Sequence, residues 1–417
     1  NNEKVDYLQL TKPLIEQTAI AAAGKSVIVG QDTTEVNYES HRGYLSIGDA
    51  ELGPVGNNKD IGFFMHPSIV LDEANEILLG VSDVHIWNRS HGKADKHTRN
   101  YSKQPIEEKE SNRWIASAQR TKNVLKDATS ILFVADREAD MYEEFATVPD
   151  GRCDVLIRSR TNRCLCDGQV TGTTGKLHDV IAQQPVAGNI SLTIRNAQKR
   201  QGRQATLAIR YTTVRIAQSQ RRPRPHLPEY IELYAIEVCE ATDTVPAGEK
   251  PVRWILLTTR KVNNLADALY LAKCYGLRWQ IELVFATLKS EGLNIEGCQL
   301  ESGKALKSMA AMSLITAVRI NQLRLIRDNI TLPASLLFTP SQITFLYALI
   351  TKLQGKTERQ RNSYPAETIA WAVWAIARLG GWKGYAKNES PPGNKTLRIG
   401  WNDFNRIYQG WSLANFL

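Results

Sequence analysis

The sequence predicts an α/β protein: a mixed-sheet core interrupted by a β-rich insertion and followed by an all-helical C-terminal region. Three observations carry this. Apolar runs at 26–31, 63–71 and 77–87 read as successive strands, and a fourth run ends in an acid with a helix directly after it. Residues 161–253 then switch to period-two alternation punctuated by Gly and Pro. Residues 301–417 read as helices throughout. The expected segments are 1–160 for the first part of the core, 161–253 for the insertion, 254–300 for the second part of the core, and 301–417 for the helical region.

In order, residues 1–24 predict a helix with apolar positions at Leu8, Leu10, Leu14, Ile15, Ala19 and Ala22, stopped at Gly24. Ser26–Asp32 predicts a buried strand with an acid at its end. Phe63–Leu71 and Ile77–Trp87 predict two further strands around a turn at 72–75. Polar residues 88–110 predict a loop, after which Ser111 offers a cap to a helix striped by Trp114, Ile115, Ala118 and Val124. The strand from Thr129 ends at Asp136, and sites in open α/β sheets lie beyond the carboxyl ends of strands. Glu138 and Asp140 read as first-turn acids that complement a helix dipole. Residues 154–160 predict a strand leaving Arg158 and Arg160 at its end.

In the insertion, Ile190–Arg195, Ala205–Ile216 and Tyr230–Cys239 alternate as strands. No acid occurs from Asn189 to Pro228, while Arg195, Lys199, Arg200, Arg203, Arg210, Arg215, Arg221, Arg222 and Arg224 all fall there. That asymmetry predicts a platform for a phosphate backbone, with residues 221–225 at a loop tip. Arg253–Thr258 returns as a strand, and Asn264–Leu288 as a helix with a break near Gly276. Advancing about 100° per residue puts Tyr275, Arg278, Glu282 and Lys289 within a stripe about 60° wide. Ile281, Val284, Phe285 and Leu288 fall on the opposite, apolar side. Spacing alone leaves that polar stripe equally readable as a solvated salt-bridged face.

Composition narrows the class. A hydrophobic content of 42% with 23% charged residues is that of a soluble globular chain. A net charge of +9 favours an anionic partner, nucleic acid first. The six cysteines lack zinc or disulfide spacing and fit a reducing cytoplasm. No apolar run is long enough for a membrane span.

Asp32, Asp136 and Glu282 stand out by position. Converging carboxylates stay ionised only around a cation. Two divalent ions would suit phosphoryl transfer, with Arg278 and Lys289 holding phosphate. Here the chain resembles the DDE transposases of bacterial insertion sequences, in the insertion-sequence-four type with a Tyr-Arg-Glu-Lys (YREK) signature. Tyr275-x2-Arg278-x3-Glu282-x6-Lys289 matches that signature in full spacing. Gly30–Tyr38 resembles the block of the first acid, and Val134–Asp140 that of the second. Trp254–Thr258 resembles the strand returning from the family's β insertion, and Ala375–Trp382 a C-terminal helix.

The resemblance implies an RNase H-like core, Mg²⁺ (or Mn²⁺) as two ions per site, DNA as partner, and a homodimer that cuts and rejoins transposon ends. It implies Asp32, Asp136 and Glu282 as catalytic metal ligands, Tyr275, Arg278, Lys289 and Arg158 as phosphate contacts, and Trp254 as receiver of a flipped base in a hairpin route. Ala286 stands where some relatives carry another base. Relatives also carry an N-terminal domain that reads the transposon end; this sequence begins at Asn1, close to the core, and that domain is expected to be absent or trimmed. The expected location is the bacterial cytoplasm, at the nucleoid. The C-terminal helices are expected to dimerise, since Phe404, Trp411 and Phe416 need burial. A relative that binds DNA without cutting, and a structure-specific nuclease of the same fold, stay open as alternatives.

Overall fold

A computed structural model describes residues 6–56, 58–90, 104–167, 173–194, 196, 201–219, 224–290, 293–383 and 390–416. Helix α1 (Tyr7–Ala22) is capped by Asp6, whose side chain accepts from Gln9 N. Strands β1 (Ser26–Gln31), β2 (Thr34–Asn37), β3 (Gly53–Val55), β4 (Asp60–Asp72) and β5 (Leu78–Trp87) follow. The turn between β4 and β5 is set by Asp72, whose carboxylate accepts from Ala74 N and Asn75 N. Then come α2 (Asn112–Val124), β6 (Ser130–Ala135), α3 (Tyr142–Thr147) and β7 (Cys153–Arg158). Ser111 precedes α2 but makes no side-chain cap, because its backbone is already helical. The stretch beyond holds β8 (Cys164–Cys166), β9 (Thr173–Lys176), α4 (Leu177–Ala182), β10 (Gly188–Ile194), β11 (Arg203–Ala217) and β12 (Tyr230–Glu240). The chain returns through β13 (Arg253–Thr258), α5 (Leu265–Leu277) and α6 (Trp279–Lys289), and ends in α7 (Gly303–Ile326), α8 (Pro340–Leu353), α9 (Ile369–Leu379) and α10 (Asn394–Phe416).

One sheet of 13 strands runs β2-β4-β1-β6-β7-β13-β12-β11-β8-β9, with β3 and β5 also on β4 and β10 on β11. β4 and β5 are antiparallel, as are β1 and β4. β1, β6 and β7 are parallel. β13 lies antiparallel against β7, and β12 against β13. The β-rich stretch therefore extends the same sheet through β13.

Period two sends alternate residues to opposite faces. On β1, Ile28 packs into one core cluster and Val27 and Val29 into another. β6 repeats this with Leu132 and Val134 against Ile131, Phe133 and Ala135. β7 and β13 do so with Leu156 and Leu256 against Ile157 and Leu257. Helices α5, α6 and α7 cover the first face, through Leu271, Ile281, Phe285, Leu288 and Leu314. α2 and α3 cover the second, through Trp114, Ala118 and Phe145. The C-terminal helices build a third cluster of their own. Phe404 is fully buried in it against Phe338 and Phe345, so this aromatic residue needs no second chain to cover it. The side chain of Phe416 lies outside the described residues. No helix among the described residues is long and apolar enough to cross a membrane.

Candidate active site

The acids meet because of strand register. Gly30 on β1 is directly beside Val134 on β6 in a parallel pair. Asp32 and Asp136 each come one residue past the end of these neighbouring strands, which lie about 5 Å apart. Both share the parity of Ile28 and of Leu132 and Val134, which face α5–α7. Arg158 and Trp254 share that face as well, two residues from Leu156 and Leu256 respectively.

Helices α5 and α6 cross this face and meet at Arg278. The expected break near Gly276 is a tightened turn at that junction: Arg278 N donates to Tyr275 O and Ile281 N to Arg278 O. Gly30 on β1 faces this backbone, and its tight neighbour is the Ile69 side chain. A Cβ there would stand 3.9 Å from the Cα of Arg278 and 3.2 Å from the Ile69 side chain. From the junction, Arg278 Nη1 donates to Asp32 Oδ2 at 2.6 Å and stands 3.6 Å from Glu282 Oε1. The Arg278 and Asp32 side chains are only 11% and 13% exposed, so this ion pair is largely sealed from water.

Burial pushes the Asp32 carboxyl up to about 7; Arg278 opposes the rise, while the charges of Asp136 and Glu282 add to it. Burial works against the Arg278 charge, yet Asp32, Tyr275, Asp136 and Glu282 together hold its guanidinium above the usual value. Three carboxylates thus act on one another across a single arginine. Among the described residues no group of three His, Cys, Asp or Glu is set to hold a metal ion as it stands, and Arg278 lies between Asp32 and Glu282. The donor chemistry nonetheless suits a hard divalent cation. The ligands are carboxylate oxygens, and the charges of Asp136 and Glu282, which add to the burial-driven rise of Asp32, are what a cation would relieve.

Beside the acids is an aromatic and cationic cluster. The half-buried Trp254 ring lies 5.7 Å from that of Tyr275, and the Arg278 guanidinium 5.9 Å from the Tyr275 centroid. Arg158 donates to Arg253 O. Burial lowers its pKa, the electrostatic interaction with Tyr275 opposes this, and the charges of Arg137 and Arg278 add to the lowering. Lys289 is paired with Glu296 at 3.2 Å.

Other expectations change. Asp140 is no helix-dipole acid, since α3 begins only at Tyr142. Its buried carboxylate pairs with Arg163 at 2.6 Å and accepts from Arg160 N. Nor do the described arginines of the insertion form a free cationic platform. Arg203 pairs with Glu240 and Glu249, Arg210 with Glu237, Arg215 with Glu232 and Arg224 with Glu143. The reason is register: Arg210 lies opposite Glu237, and Arg215 opposite Glu232, across β11 and β12. Counting charge along the chain misses partners contributed by the next strand. Arg195, Lys199, Arg200, Arg221 and Arg222 lie outside the described residues, as does most of the polar loop after β5.

Sequence reasoning missed Thr33 and Arg113; it read Glu138 as a first-turn acid, which it is in the short 3-10 turn Arg137–Ala139, without its pairing to Arg113. Asp32 Oδ1 accepts from Thr33 N at 2.8 Å, and Asp136 Oδ1 from Glu138 N at 2.8 Å. Arg113 contacts both of those residues. No spacing rule links residues so far apart. A family model for the transposase DDE domain matches residues 86–319, more than half of the chain.

Proposed function

Because the chain belongs to the transposase DDE domain family, we propose that it cuts transposon ends and joins them to target DNA by divalent-metal-dependent phosphoryl transfer. In this reading it is of the insertion-sequence-four type with the Tyr-Arg-Glu-Lys signature. The observation that carries the proposal is the meeting of Asp32 and Asp136, at adjacent parallel strand ends, with Arg278 and Glu282 from the helices above. The order β5-β4-β1-β6-β7, three antiparallel strands and then two parallel to β1, supports an RNase H-like core. The stretch 161–253 is its β insertion, and residues 301–417 form its helical region.

Asp32, Asp136 and Glu282 would hold Mg²⁺, or Mn²⁺ in its place, as two ions. Such ions activate the attacking water or hydroxyl and stabilise the leaving oxygen. The chain's own residues do the rest. Arg278, paired with Asp32 in this structure, can turn its fork to a phosphate oxygen once the carboxylate charge is otherwise balanced. Arg158 and the Tyr275 hydroxyl hold the adjacent phosphate. Trp254, half-buried beside Tyr275, offers a ring face on which an extruded base can stack on a hairpin route. Lys289 must leave Glu296 to join them. The working form is a homodimer on two DNA ends, in the bacterial cytoplasm at the nucleoid.

The test uses labelled duplex carrying the inverted repeats that flank the gene, with Mg²⁺ or Mn²⁺. Nicked, hairpin or joined products are expected from the wild type. None is expected from Asp32→Asn, Asp136→Asn or Glu282→Gln, with DNA binding retained because affinity comes from phosphate contacts. A wild type that binds this DNA without cutting it would favour a non-cleaving relative and refute the proposal. Cleavage by any of the three variants removes that residue from the site.

A further inference from the structure

Two of the proposed metal ligands lie just beyond the ends of their strands, where the sheet's hydrogen-bond ladder no longer fixes them. Each carboxylate takes a hydrogen bond from one backbone N–H: Asp32 from Thr33, and Asp136 from Glu138. The side chains of those two donors meet on a single residue. Arg113, in the first turn of α2, donates through Nε to Thr33 Oγ1 at 2.9 Å and through Nη2 to Glu138 Oε2 at 2.6 Å. Nη1 donates to Glu110 O at 3.1 Å. The guanidinium lies 5.5 Å from the Trp87 ring centroid and 5.4 Å from that of Trp114. Its side chain is 12% exposed.

From this geometry we infer that Arg113 is a positioning residue: a brace across the two acid-bearing loops that sets the spacing of Asp32 and Asp136 before metal arrives. The inference rests on the metal-site reading above and adds to it a residue that touches neither metal nor DNA. The planar fork matters, because two donors must point in different directions at once. A lysine ammonium on a flexible stem supplies charge without that geometry. Thr33 extends the brace inward. Its hydroxyl accepts from Arg113 and shares a second hydrogen bond with His66 Nδ1, 2.9 Å away. His66 is fully buried, edge-on to Trp114, so the threonine rotor is held from behind.

A merely structural role makes a different prediction. The Glu138 side chain is 60% exposed, and ion pairs with an exposed partner contribute little to stability. Glu138→Gln should therefore leave the melting temperature near that of the wild type. If the brace orients the acids, it should still weaken metal binding.

The experiment measures Mn²⁺ binding to the full chain without DNA, by paramagnetic resonance of free ion, alongside melting temperature. Variants are Arg113→Lys, Thr33→Val, Glu138→Gln and the double variant Arg113→Lys/Glu138→Gln, with Asp32→Asn as control. Outer-shell partners of metal ligands typically contribute 10–100-fold in affinity. Each single variant is thus expected to raise the Mn²⁺ half-saturation about 10-fold, and the double variant no further than Arg113→Lys alone. Glu138→Gln should melt like the wild type, and it carries the test if Arg113→Lys does not fold. Mn²⁺ binding within twofold of wild type in Glu138→Gln, with binding abolished in Asp32→Asn, overturns the brace and leaves the metal site standing. Unchanged binding in Asp32→Asn overturns the metal-site reading and the brace with it.

Discussion

Replacing Arg278 by Gln would remove the cation that touches both Asp32 and Glu282 while keeping a side chain of similar reach and a hydrogen-bond donor. The guanidinium stands 2.6 Å from Asp32 and 3.6 Å from Glu282. With an effective dielectric of about 20, a unit pair at such distances attracts by roughly 4–6 kcal/mol before desolvation. Breaking a buried pair from one side typically costs about 3–5 kcal/mol. Two features of this site reduce that. The Glu282 carboxylate is 36% exposed, and the Asp32 carboxyl, already raised to about 7, can respond to the missing guanidinium by taking a proton. A destabilisation of about 2–3 kcal/mol at pH 8 is expected, or a fall in melting temperature of roughly 2–3 °C for a chain of this size. The sign with pH follows. At low pH Asp32 is protonated in folded and unfolded chains alike, and the substitution costs little. As pH rises, only the wild type keeps a partner for the charge, so the gap widens.

Thermal unfolding of wild type and Arg278→Gln at pH 6 and pH 8, with and without Mn²⁺, is the assay. Mn²⁺ should raise the melting temperature of the variant more than that of the wild type, because the ion replaces the missing guanidinium charge. Equal Mn²⁺ shifts in the two proteins, or no destabilisation at pH 8, would refute the reasoning.

Other consequences can be checked independently. Trp254→Ala should spare DNA binding and the first nick while slowing the hairpin step about tenfold or more, since stacking on an aromatic contributes roughly 1–3 kcal/mol per base. Trp254→Phe should restore most of it, whereas nicking that falls in step with melting temperature would mark Trp254 as packing against Tyr275 alone. Glu144 is fully buried on α3; burial pushes its carboxyl up to about 8, and one of its oxygens has no hydrogen-bond partner. Its folded pKa lies above the unfolded value, so it lowers stability increasingly as pH rises from about 4 toward 8. Glu144→Gln should therefore stabilise, and by more at pH 8 than at pH 5 in urea titrations; the opposite trend would show that Glu144 is charged and partnered.

The local elements could be read from the chain because each is announced by its own residues. Apolar runs gave β1, β4, β5 and β6, period two gave β10–β12, and the 3.6-residue stripe gave the helix turning at Arg278. Type and order follow from backbone periodicity, which needs no knowledge of neighbours. The coincidence of Asp32 with Asp136 could be expected from their places at strand ends, but only the parallel pairing of β1 with β6 decided it. Charge was where the linear reading failed. Residues 189–228 looked uniformly basic along the chain, yet Arg210 and Arg215 meet glutamates on the next strand, and Lys289 turns to Glu296. Arg113 carried no signal at all, for its partners lie 80 and 25 positions away in sequence. Periodicity is written in each segment, but the partner of a charge is chosen in three dimensions by sheet register and helix docking. So the sequence determined which residues could do chemistry, and the fold decided which of them meet.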